Sequence, residues 1–566
     1  MFKPARLFGV LFLVLQVAAP GICASKAPVR GAHAMVVSTE PRASQVGVDI
    51  LQKGGNAVDA AVAVAFTLAV THPAAGNLGG GGFMMIRLVK TGEAVAVDYR
   101  EIAPGAAGRT MYQDDNGNVI KNASTVGYRA AGVPGTVAGL ALALGKYGSM
   151  NLEQVLAPAI ALARDGVQLS YFESESLRRE RELLEKFPET KRIYLRDGNL
   201  YKEGELFVQP DMARTLELIA CDGPKEFYEG TIAQLIAKDM AANGGLITLE
   251  DLKKYRPTLR KPLEGSYRGY KIVSMPSPSS GGTILLEMLN ILEGYPLEKY
   301  GPGSSRTLHL LAETMKRAFA DRAEYLGDGD FVKLPTSGLI SKRYAVQIRA
   351  TIDPFIAADA AKIGHGNPGM FESEQTTHFS IVDKDGNAVA NTYTLNGGYG
   401  SGVTIPGTGI LMNNEMDDFA SKPGVPNAYD LIQGEANAIA PGKRPLSAMT
   451  PTFVLRDDQL FMVVGSPGGP TIINTVLQAI INVVDFKMTL QEAVDAPRIH
   501  HQWMPDKLVA ERIGFADDVL QALRARGHNL EVRGTIGDCQ AIQIDPKTGV
   551  RLGAADPRLD GRAVGY

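Results

Sequence analysis

The sequence changes character abruptly at Thr376, and this boundary constrains the fold and the chemistry of the chain more than any other feature. A polar run bearing Gly and Pro, residues 364–375, stops at two threonines. A strand signal, a turn at residues 385–387 and a second strand signal over residues 388–395 follow. A threonine here could be only a β-branched residue that starts a strand. A chemical role is favoured because backbone N–H donors are supplied by two later glycine-rich runs, residues 396–402 and 465–469.

Thr376 would need a base, because a threonine hydroxyl is a weak nucleophile alone. An N-terminal threonine can use its own α-amine, whose ordinary pKa of about 8 leaves a useful neutral fraction at neutral pH. That amine exists only if the bond between Gln375 and Thr376 is cut, and attack by the Thr376 hydroxyl on the preceding carbonyl is the economical route. The sequence therefore predicts a self-cleaving precursor in which one side chain serves both maturation and turnover.

Other common catalytic motifs are missing from the sequence. It contains no Gly-x-Ser-x-Gly elbow and no Ser-x-x-Lys, which argues against the usual serine hydrolases. It contains no Gly-Lys-Ser/Thr, so the glycine run at residues 77–82 is not a phosphate-binding loop. We expect those glycines to permit tight backbone packing instead.

Composition describes an ordinary globular protein. Of the 566 residues, 45% are hydrophobic and 21% are charged, and the formal net charge is −3. A chain without an excess of positive charge gives no reason to expect nucleic acid as a partner.

The first 24 residues have the pattern of a secretory signal. Lys3 and Arg6 form a basic start, and residues 7–19 form an apolar stretch too short to span a bilayer comfortably. We expect residues 1–24 to be a signal peptide, the mature protein to be exported (periplasmic or secreted), and no stable membrane span. Two cysteines remain, Cys221 and Cys539, and whether they pair stays open. No metal motif is present.

Helix and strand signals interleave along the chain, without a repeat or a linker. Helices grouped beside antiparallel hairpins favour an α+β fold in which helices cover stacked sheets. The longest helix is expected at residues 304–326, with four charged residues on its polar side: Arg317, Asp321, Arg322 and Glu324. The helices expected elsewhere span residues 43–53, 57–70, 135–146, 152–165, 470–485 and 490–496.

Several motifs together resemble those of the bacterial γ-glutamyltranspeptidases, over about residues 33–566. They are Thr-Thr-His-Phe-Ser from Thr376, Asn-Asn-Glu-Met-Asp-Asp-Phe from Asn413, Lys-Arg-Pro-Leu-Ser from Lys443, and Gly-Ser-Pro-Gly-Gly from Gly465. The resemblance implies an N-terminal-nucleophile (Ntn) hydrolase, a four-layer αββα sandwich built jointly by two autoprocessed subunits. Here these would be residues 25–375 and 376–566.

The resemblance also implies roles for individual residues. Thr376 matches the nucleophile, and Thr394 matches the threonine whose hydroxyl bonds to it. Gly468 and Gly469 match the oxyanion hole. The α-carboxylate of a γ-glutamyl group would be bound by Arg100 and Ser447, because a guanidinium fork suits a carboxylate. Asn396, Glu415 and Asp418 match the residues that hold the ammonium group, and Tyr429 matches an aromatic residue on a lid loop.

Some positions depart from the family pattern. Ala448 stands where many relatives have a second serine, so one hydrogen bond to the substrate is expected to be missing. Glu415 stands where many bacterial relatives have Gln, and Gly397 and Gly398 replace bulkier residues. These changes leave substrate preference open.

The resemblance predicts an exported γ-glutamyltransferase that hydrolyses glutathione and other γ-glutamyl compounds. It would transfer the glutamyl group to amino acids, peptides or water, with no metal or organic cofactor. Two alternatives stay open at this point. One is a related threonine-type acylase, acting on cephalosporins, on glutaryl compounds or on polyglutamate. The other is an unprocessed, non-catalytic binding protein.

Overall fold

Two seven-stranded antiparallel sheets form the centre of the molecule, whose computed structural model describes residues 25–368 and 379–566. In spatial order, sheet I contains the strands Arg562–Gly565, Met35–Ser38, Phe379–Val382, Ala388–Thr394, Gly81–Arg87, Ala94–Asp98 and Thr258–Arg260. Sheet II contains the strands Val29–Gly31, Arg551–Ala555, Gln540–Ile544, Gln459–Gly465, Thr452–Arg456, Tyr270–Ser274 and Leu263–Tyr267.

The two sheets pack face to face, because successive side chains of a strand point to opposite faces. In the strand Gly81–Arg87, Met85 joins the apolar layer between the sheets, whereas Met84 and Ile86 point outward into the helices. Sheet II contributes Phe453 and Val463 to the same inner layer. Both faces of each sheet are therefore buried.

Helices cover the outer face of each sheet. Against sheet I pack Pro41–Gln52, Ala57–Thr71, Thr136–Tyr147, Leu152–Asp165, Pro210–Asp222, Pro224–Glu229, Thr231–Ala242 and Leu249–Lys254. Against sheet II pack Gly281–Leu292, Leu297–Tyr300, Ser305–Tyr325, Thr336–Leu339, Lys342–Arg349, Thr471–Val484, Leu490–Asp495 and Asp517–Ala525. The arrangement is a four-layer αββα sandwich, so the predicted fold class is confirmed.

A smaller apolar cluster lies beside the sandwich, around Leu177, Tyr194 and Tyr399. It is built by the helices Tyr171–Arg179, Arg181–Leu184 and Pro188–Tyr194 and the short strands Val167–Gln168, Leu195–Arg196, Asn199–Leu200 and Leu206–Phe207. The remaining strands are Thr404–Ile405, Ile410–Leu411, Ile499–His500, Leu508–Glu511 and Leu530–Arg533. The single-turn helices are Tyr128–Ala130, Ala360–Lys362, Glu415–Asp418 and Glu435–Asn437.

Both sheets contain strands from before and from after residue 376. In sheet I the strand Phe379–Val382 pairs with Met35–Ser38, and Ala388–Thr394 pairs with Gly81–Arg87. In sheet II the strand Thr452–Arg456 pairs with Tyr270–Ser274. Neither segment of the chain could complete a sheet by itself.

The prediction for the longest helix is wrong in one respect. Glu324 is exposed, but Arg317, Asp321 and Arg322 are buried. The helix Ser305–Tyr325 is enclosed by other elements, and its polar groups find internal partners: Arg317 pairs with Glu313 at 2.8 Å. Three of the four charged residues expected on the polar side of this helix are therefore shielded from solvent.

The glycine run before Gly81–Arg87 packs as predicted. A Cβ atom on Gly80 would lie 2.1 Å from the carbonyl oxygen of Thr394, and one on Gly79 would lie 2.1 Å from that of Leu411. Such distances exclude any side chain, so these glycines let the backbones approach closely.

The cysteines are free, Cys221 at the surface and Cys539 in the core, so they do not pair. Across residues 25–368 and 379–566, every helix is too short or too polar to cross a membrane. The predicted signal peptide, residues 1–24, and the predicted cleavage site at Gln375 and Thr376 lie outside the described residues.

Candidate active site

A cavity of about 470 Å³ at one end of the sheets brings the predicted site residues together. Eight of them line it: Arg100, Thr394, Asn396, Asp418, Tyr429, Ser447, Gly468 and Gly469. Glu415 lies behind this wall, paired with Arg100 at 2.8 Å. These residues come from distant parts of the chain, and their individual roles stay predictions.

The glycine pair lies in the turn between the strand Gln459–Gly465 and the helix Thr471–Val484. Gly468 has φ of 133° and Gly469 has φ of 57°, which favour glycine at both positions. Within the described residues, neither N–H group has a hydrogen-bond acceptor. Two N–H groups next to a helix N-terminus can stabilise a developing negative oxygen.

Arg100 follows the strand Ala94–Asp98 and is completely buried. Its guanidinium donates to Asp418, forms an ion pair with Glu415, and donates from Nε to the carbonyl oxygen of Pro445 at 3.3 Å. Glu101 lies 3.8 Å away on the same side. Three carboxyl groups thus surround one guanidinium.

Burial changes the protonation of these acids. It raises the pKa of Glu101 to about 8 and that of Glu415 well above its usual range, although Arg100 opposes both shifts. Removal from water disfavours a carboxylate more than one shared arginine can compensate. The cluster can accept hydrogen bonds from an incoming ammonium group, whose charge would favour the ionised acids.

Ser447 also lines the cavity. Its carbonyl oxygen accepts from the backbone N of Ser280 at 3.0 Å and from the Ser280 hydroxyl at 2.8 Å. Ala448 follows it and also lines the cavity. Its methyl group offers no hydrogen bond, in line with the departure seen in the sequence.

Thr394 ends the strand Ala388–Thr394, and its hydroxyl accepts from the backbone N of Asn396 at 2.9 Å. Asn396 has φ of 77° and donates from Nδ2 to the carbonyl oxygen of Asn414 at 3.1 Å. The Tyr429 hydroxyl donates to the carbonyl oxygen of Asn396 at 2.9 Å. Tyr429 therefore ties its loop to the wall of the cavity.

Arg322 is a cavity residue that the sequence reasoning missed. It was expected on a polar helix face, yet it is 2% exposed and lines the cavity. A usable signal was present: Arg322 follows Leu311 and Met315 at helical spacing, so it lies on the apolar face of this helix. A residue on the face that packs against the core is buried.

A group able to hold a metal ion lies elsewhere. His309, Glu313 and His528 have ligand atoms within 4.8 Å of one another, but none of them lines the cavity. Glu313 already pairs with Lys316 at 2.9 Å and with Arg317. Two cations beside the only carboxylate of the group oppose the binding of a third.

The αββα sandwich, with two glycine N–H groups that have no acceptor among the described residues and a charged cluster at the end of its sheets, defines an Ntn hydrolase. A family model described as gamma-glutamyltranspeptidase matches residues 43–566. The chain therefore belongs to the γ-glutamyltranspeptidase family.

Individual relatives agree with this assignment. A glutathione hydrolase proenzyme of Escherichia coli K12 is 51% identical over 95% of this chain and 93% of its own. Among solved structures, a cephalosporin acylase from Bacillus halodurans has a TM-score of 0.84 at 29% identity, covering 98% of this chain and 99% of its own. Helicobacter pylori γ-glutamyltranspeptidase has a TM-score of 0.57 at 50% identity, covering 58% of this chain and 94% of its own.

Proposed function

We propose that this protein is a self-processed γ-glutamyltransferase and glutathione hydrolase whose nucleophile is Thr376. The observation that carries the proposal is the cavity itself. It joins the N–H groups of Gly468 and Gly469, which have no acceptor within the described residues, to a largely buried cluster of Arg100, Glu415 and Asp418. The first pair suits an oxyanion, and the cluster suits the charged head of an amino acid.

The strand register supports Thr376 as the nucleophile. Phe379 pairs with Asn391 in sheet I. Thr376 precedes Phe379 by three residues, and Thr394 follows Asn391 by three residues. Three residues of chain span at most about 11 Å, and Phe379 begins its strand at the end of the pair where Thr394 lines the cavity.

The proposed chemistry uses one hydroxyl twice. In maturation, Thr376 Oγ attacks the carbonyl carbon of Gln375, the peptide nitrogen leaves as a free amine, and water hydrolyses the ester. In turnover, Oγ attacks the γ-carbonyl of glutathione and the amine carries its proton to the departing cysteinylglycine. Water or an acceptor amine then takes the glutamyl group. Each oxyanion donor contributes about 10²–10³ in rate.

The acceptor, the subunits and the location belong to the proposal. The loop carrying Tyr429 would limit water and favour transfer to amino acids or peptides. The chains 25–375 and 376–566 would stay together as a heterodimer, because both contribute paired strands to each sheet. Export to the periplasm or beyond rests on the pattern of residues 1–24.

Intact mass and N-terminal sequencing of the purified protein, beside Thr376→Ala, test the proposal. We expect two chains, the smaller beginning Thr-Thr-His-Phe, and turnover of γ-glutamyl-p-nitroanilide. Thr376→Ala should remain one inactive chain, because it lacks the attacking oxygen. Thr377→Ala is the matched control and should still be cleaved. A wild-type protein that stays as one inactive chain would refute the proposal.

A glutaryl or cephalosporin acylase is the nearest alternative, since such an acylase shares the fold. A glutaryl group lacks the ammonium of a γ-glutamyl group. Buried Glu415 and partly exposed Asp418 both pair with Arg100. With a glutaryl substrate they would have no substrate ammonium group to bind. The cluster therefore favours the amino acid substrate.

A further inference from the structure

A carboxyl group on the cavity wall has no part in the predicted site. Asp538 lines the cavity and is 2% exposed. Its Oδ2 accepts from the Thr39 hydroxyl at 2.6 Å and from Gln540 Nε2 at 2.9 Å. Its Oδ1 is buried and has no hydrogen-bond partner among the described residues. Buried polar atoms are normally paired, so an oxygen left without a partner in a cavity wall indicates a chemical use.

The segment that carries Asp538 packs against the turn that carries Gly468. The backbone N of Asp538 donates to the Ser466 hydroxyl at 2.9 Å. A Cβ atom on Gly468 would lie 3.5 Å from the Cα atom of Gly537. Asp538 therefore directly follows a residue that contacts the proposed oxyanion donor.

The hydrogen bond from Thr39 places Asp538 beside the strand that follows Thr376. Thr39 comes directly after the strand Met35–Ser38, which pairs antiparallel with Phe379–Val382. In an antiparallel pair the end of one strand lies beside the start of the other. Asp538 thus connects the start of the strand Phe379–Val382 to the glycine turn, and the reacting ester would lie between these two elements.

The surroundings of Asp538 suit a group that exchanges a proton. Burial raises its pKa to about 7, and the nearby Asp556 adds to this shift. Hydrogen bonds from Thr39 and Gln540 and the charge of Arg498 oppose it. Arg498 is itself paired with Asp556 at 2.7 Å. Asp538 is therefore a stronger base than an ordinary aspartate, and both of its protonation states are populated at neutral pH.

An amine acceptor must lose a proton before it can react. The α-amine of a peptide has a pKa of about 8, so at neutral pH it arrives mostly as an ammonium ion, which has no electron pair for attack. Water arrives uncharged and needs no such step. A base in the cavity wall would therefore promote transfer more than hydrolysis.

We propose that Asp538 takes this proton from the acceptor and so promotes transfer of the glutamyl group to amines at neutral pH. The inference rests on the proposed γ-glutamyltransferase function and deepens it. An N–H bond of the ammonium breaks, its electron pair stays on nitrogen, and the proton moves to the Asp538 carboxylate. The neutral amine then attacks the ester carbonyl carbon, the bond from that carbon to Thr376 Oγ breaks, and Oγ takes a second proton from the amine. Asp538 returns its proton to solvent.

Two acceptors that differ in charge at neutral pH test the proposal, with γ-glutamyl-p-nitroanilide as the donor. Glycylglycine arrives as an ammonium ion, whereas hydroxylamine is already mostly neutral. Asp538→Asn should lower the ratio of transfer to hydrolysis about 10- to 100-fold with glycylglycine at about pH 7. The ratio should recover above about pH 9, where solvent takes the proton, and with hydroxylamine it should stay within about twofold of the wild type. An equal loss with both acceptors would assign Asp538 a structural role and overturn the proposal.

Asp485→Asn is the matched control, because Asp485 is a buried aspartate that accepts from the Tyr267 hydroxyl at 2.6 Å and does not line the cavity. It should leave the ratio unchanged with both acceptors. If Asp538→Asn does not fold, Thr39→Ala decides. Loss of the Thr39 hydroxyl should raise the pKa of Asp538 and move the acidic limb of the transfer profile to higher pH. A limb that does not move would overturn the proposal.

The release of p-nitroaniline separates this inference from the function on which it rests. No release by the wild-type protein would refute the proposed function. Release by the wild type, with a glycylglycine ratio that Asp538→Asn does not change, would keep the function and overturn the role of Asp538.

Discussion

Individual buried charges determine the chemistry of the cavity. Arg100 is surrounded by acids, whereas Arg322 has no acidic partner among the described residues. Glu173 adds a third case: it lines the same cavity, is 7% exposed, and its carboxylate accepts from the backbone N of Ser170 at 2.9 Å. Burial lowers the pKa of Arg322 and raises that of Glu173, whereas the surrounding acids outweigh burial and raise the pKa of Arg100.

Glu173 should make stability depend on pH. Burial raises its pKa from 4.5 to about 7, so the folded state holds the proton more tightly than the unfolded state. Its contribution to stability is therefore full below pH 4.5 and is lost as the pH rises through 7. Glu173→Gln keeps the helix cap and removes this loss. Between pH 5 and pH 8, the apparent Tm of the variant should fall less than that of the wild type. The difference should correspond to about 1–3 kcal/mol in the free energy of unfolding.

Glu175→Gln serves as the control, because Glu175 belongs to the same helix, and bonding to Arg178 lowers its pKa. In Glu175→Gln the Tm should fall between pH 5 and pH 8 as much as it does in the wild type. Parallel Tm profiles for Glu173→Gln and the wild type would contradict the prediction.

At the scale of elements, the helix Thr136–Tyr147 positions the strand end that carries Arg100. Gly139 faces Tyr99, the residue before Arg100, and a Cβ atom there would lie 2.2 Å from the Tyr99 Cβ. Gly145 belongs to the same helix, is exposed, and has nothing within 4 Å of such an atom. A side chain added at Gly139 would therefore meet a packed neighbour, whereas one added at Gly145 would meet solvent.

Alanine at these two positions should have opposite effects. Gly139→Ala should destabilise the protein by about 1–3 kcal/mol and raise KM, because Tyr99 and Arg100 must move. Gly145→Ala should be neutral or stabilising by up to about 1 kcal/mol, because alanine favours a helix. Thermal unfolding and steady-state kinetics of both variants check this. Equal Tm values for Gly139→Ala and Gly145→Ala would contradict the prediction, because they would show that Tyr99 moves away from the new methyl group without loss of stability.

The whole molecule is interwoven. Segments on both sides of residue 376 supply adjacent strands of sheets I and II. The layer between the sheets draws on both segments, with Phe83 and Val273 before the predicted cleavage site and Phe453 and Ile542 after it. A cut at residue 376 would therefore leave a single cooperative core.

The cleaved protein should behave as one unit. We expect the two chains to elute together under native conditions and to separate only in denaturant, because each lacks the partners of its own strands. Calorimetry and far-UV circular dichroism should report one coincident transition. Separation in native buffer, or two resolved transitions, would contradict the interwoven arrangement.

Sequence reasoning predicted the local elements well. The helix expected at residues 57–70 is observed as Ala57–Thr71, and the strand expected at residues 388–395 as Ala388–Thr394. Both follow from short-range patterns, namely apolar spacing and turn residues. The motifs also predicted which residues would meet in one cavity, although nothing in the local pattern placed Arg100 beside Asp418.

The sequence by itself indicated several of the helices and strands and, through the motifs, the fold class and the candidate nucleophile, because these signals are carried by neighbouring residues. It predicted no element between residues 166 and 303, where the structure has helices such as Pro210–Asp222 and Gly281–Leu292. Only the tertiary structure decided which charges are buried. Arg322 was expected on the polar side of its helix, and its surroundings in the cavity are supplied by Ser280, Ser447 and Asp418 from other segments. Burial and electrostatics are properties of the packed molecule, so they could be read only from the tertiary structure.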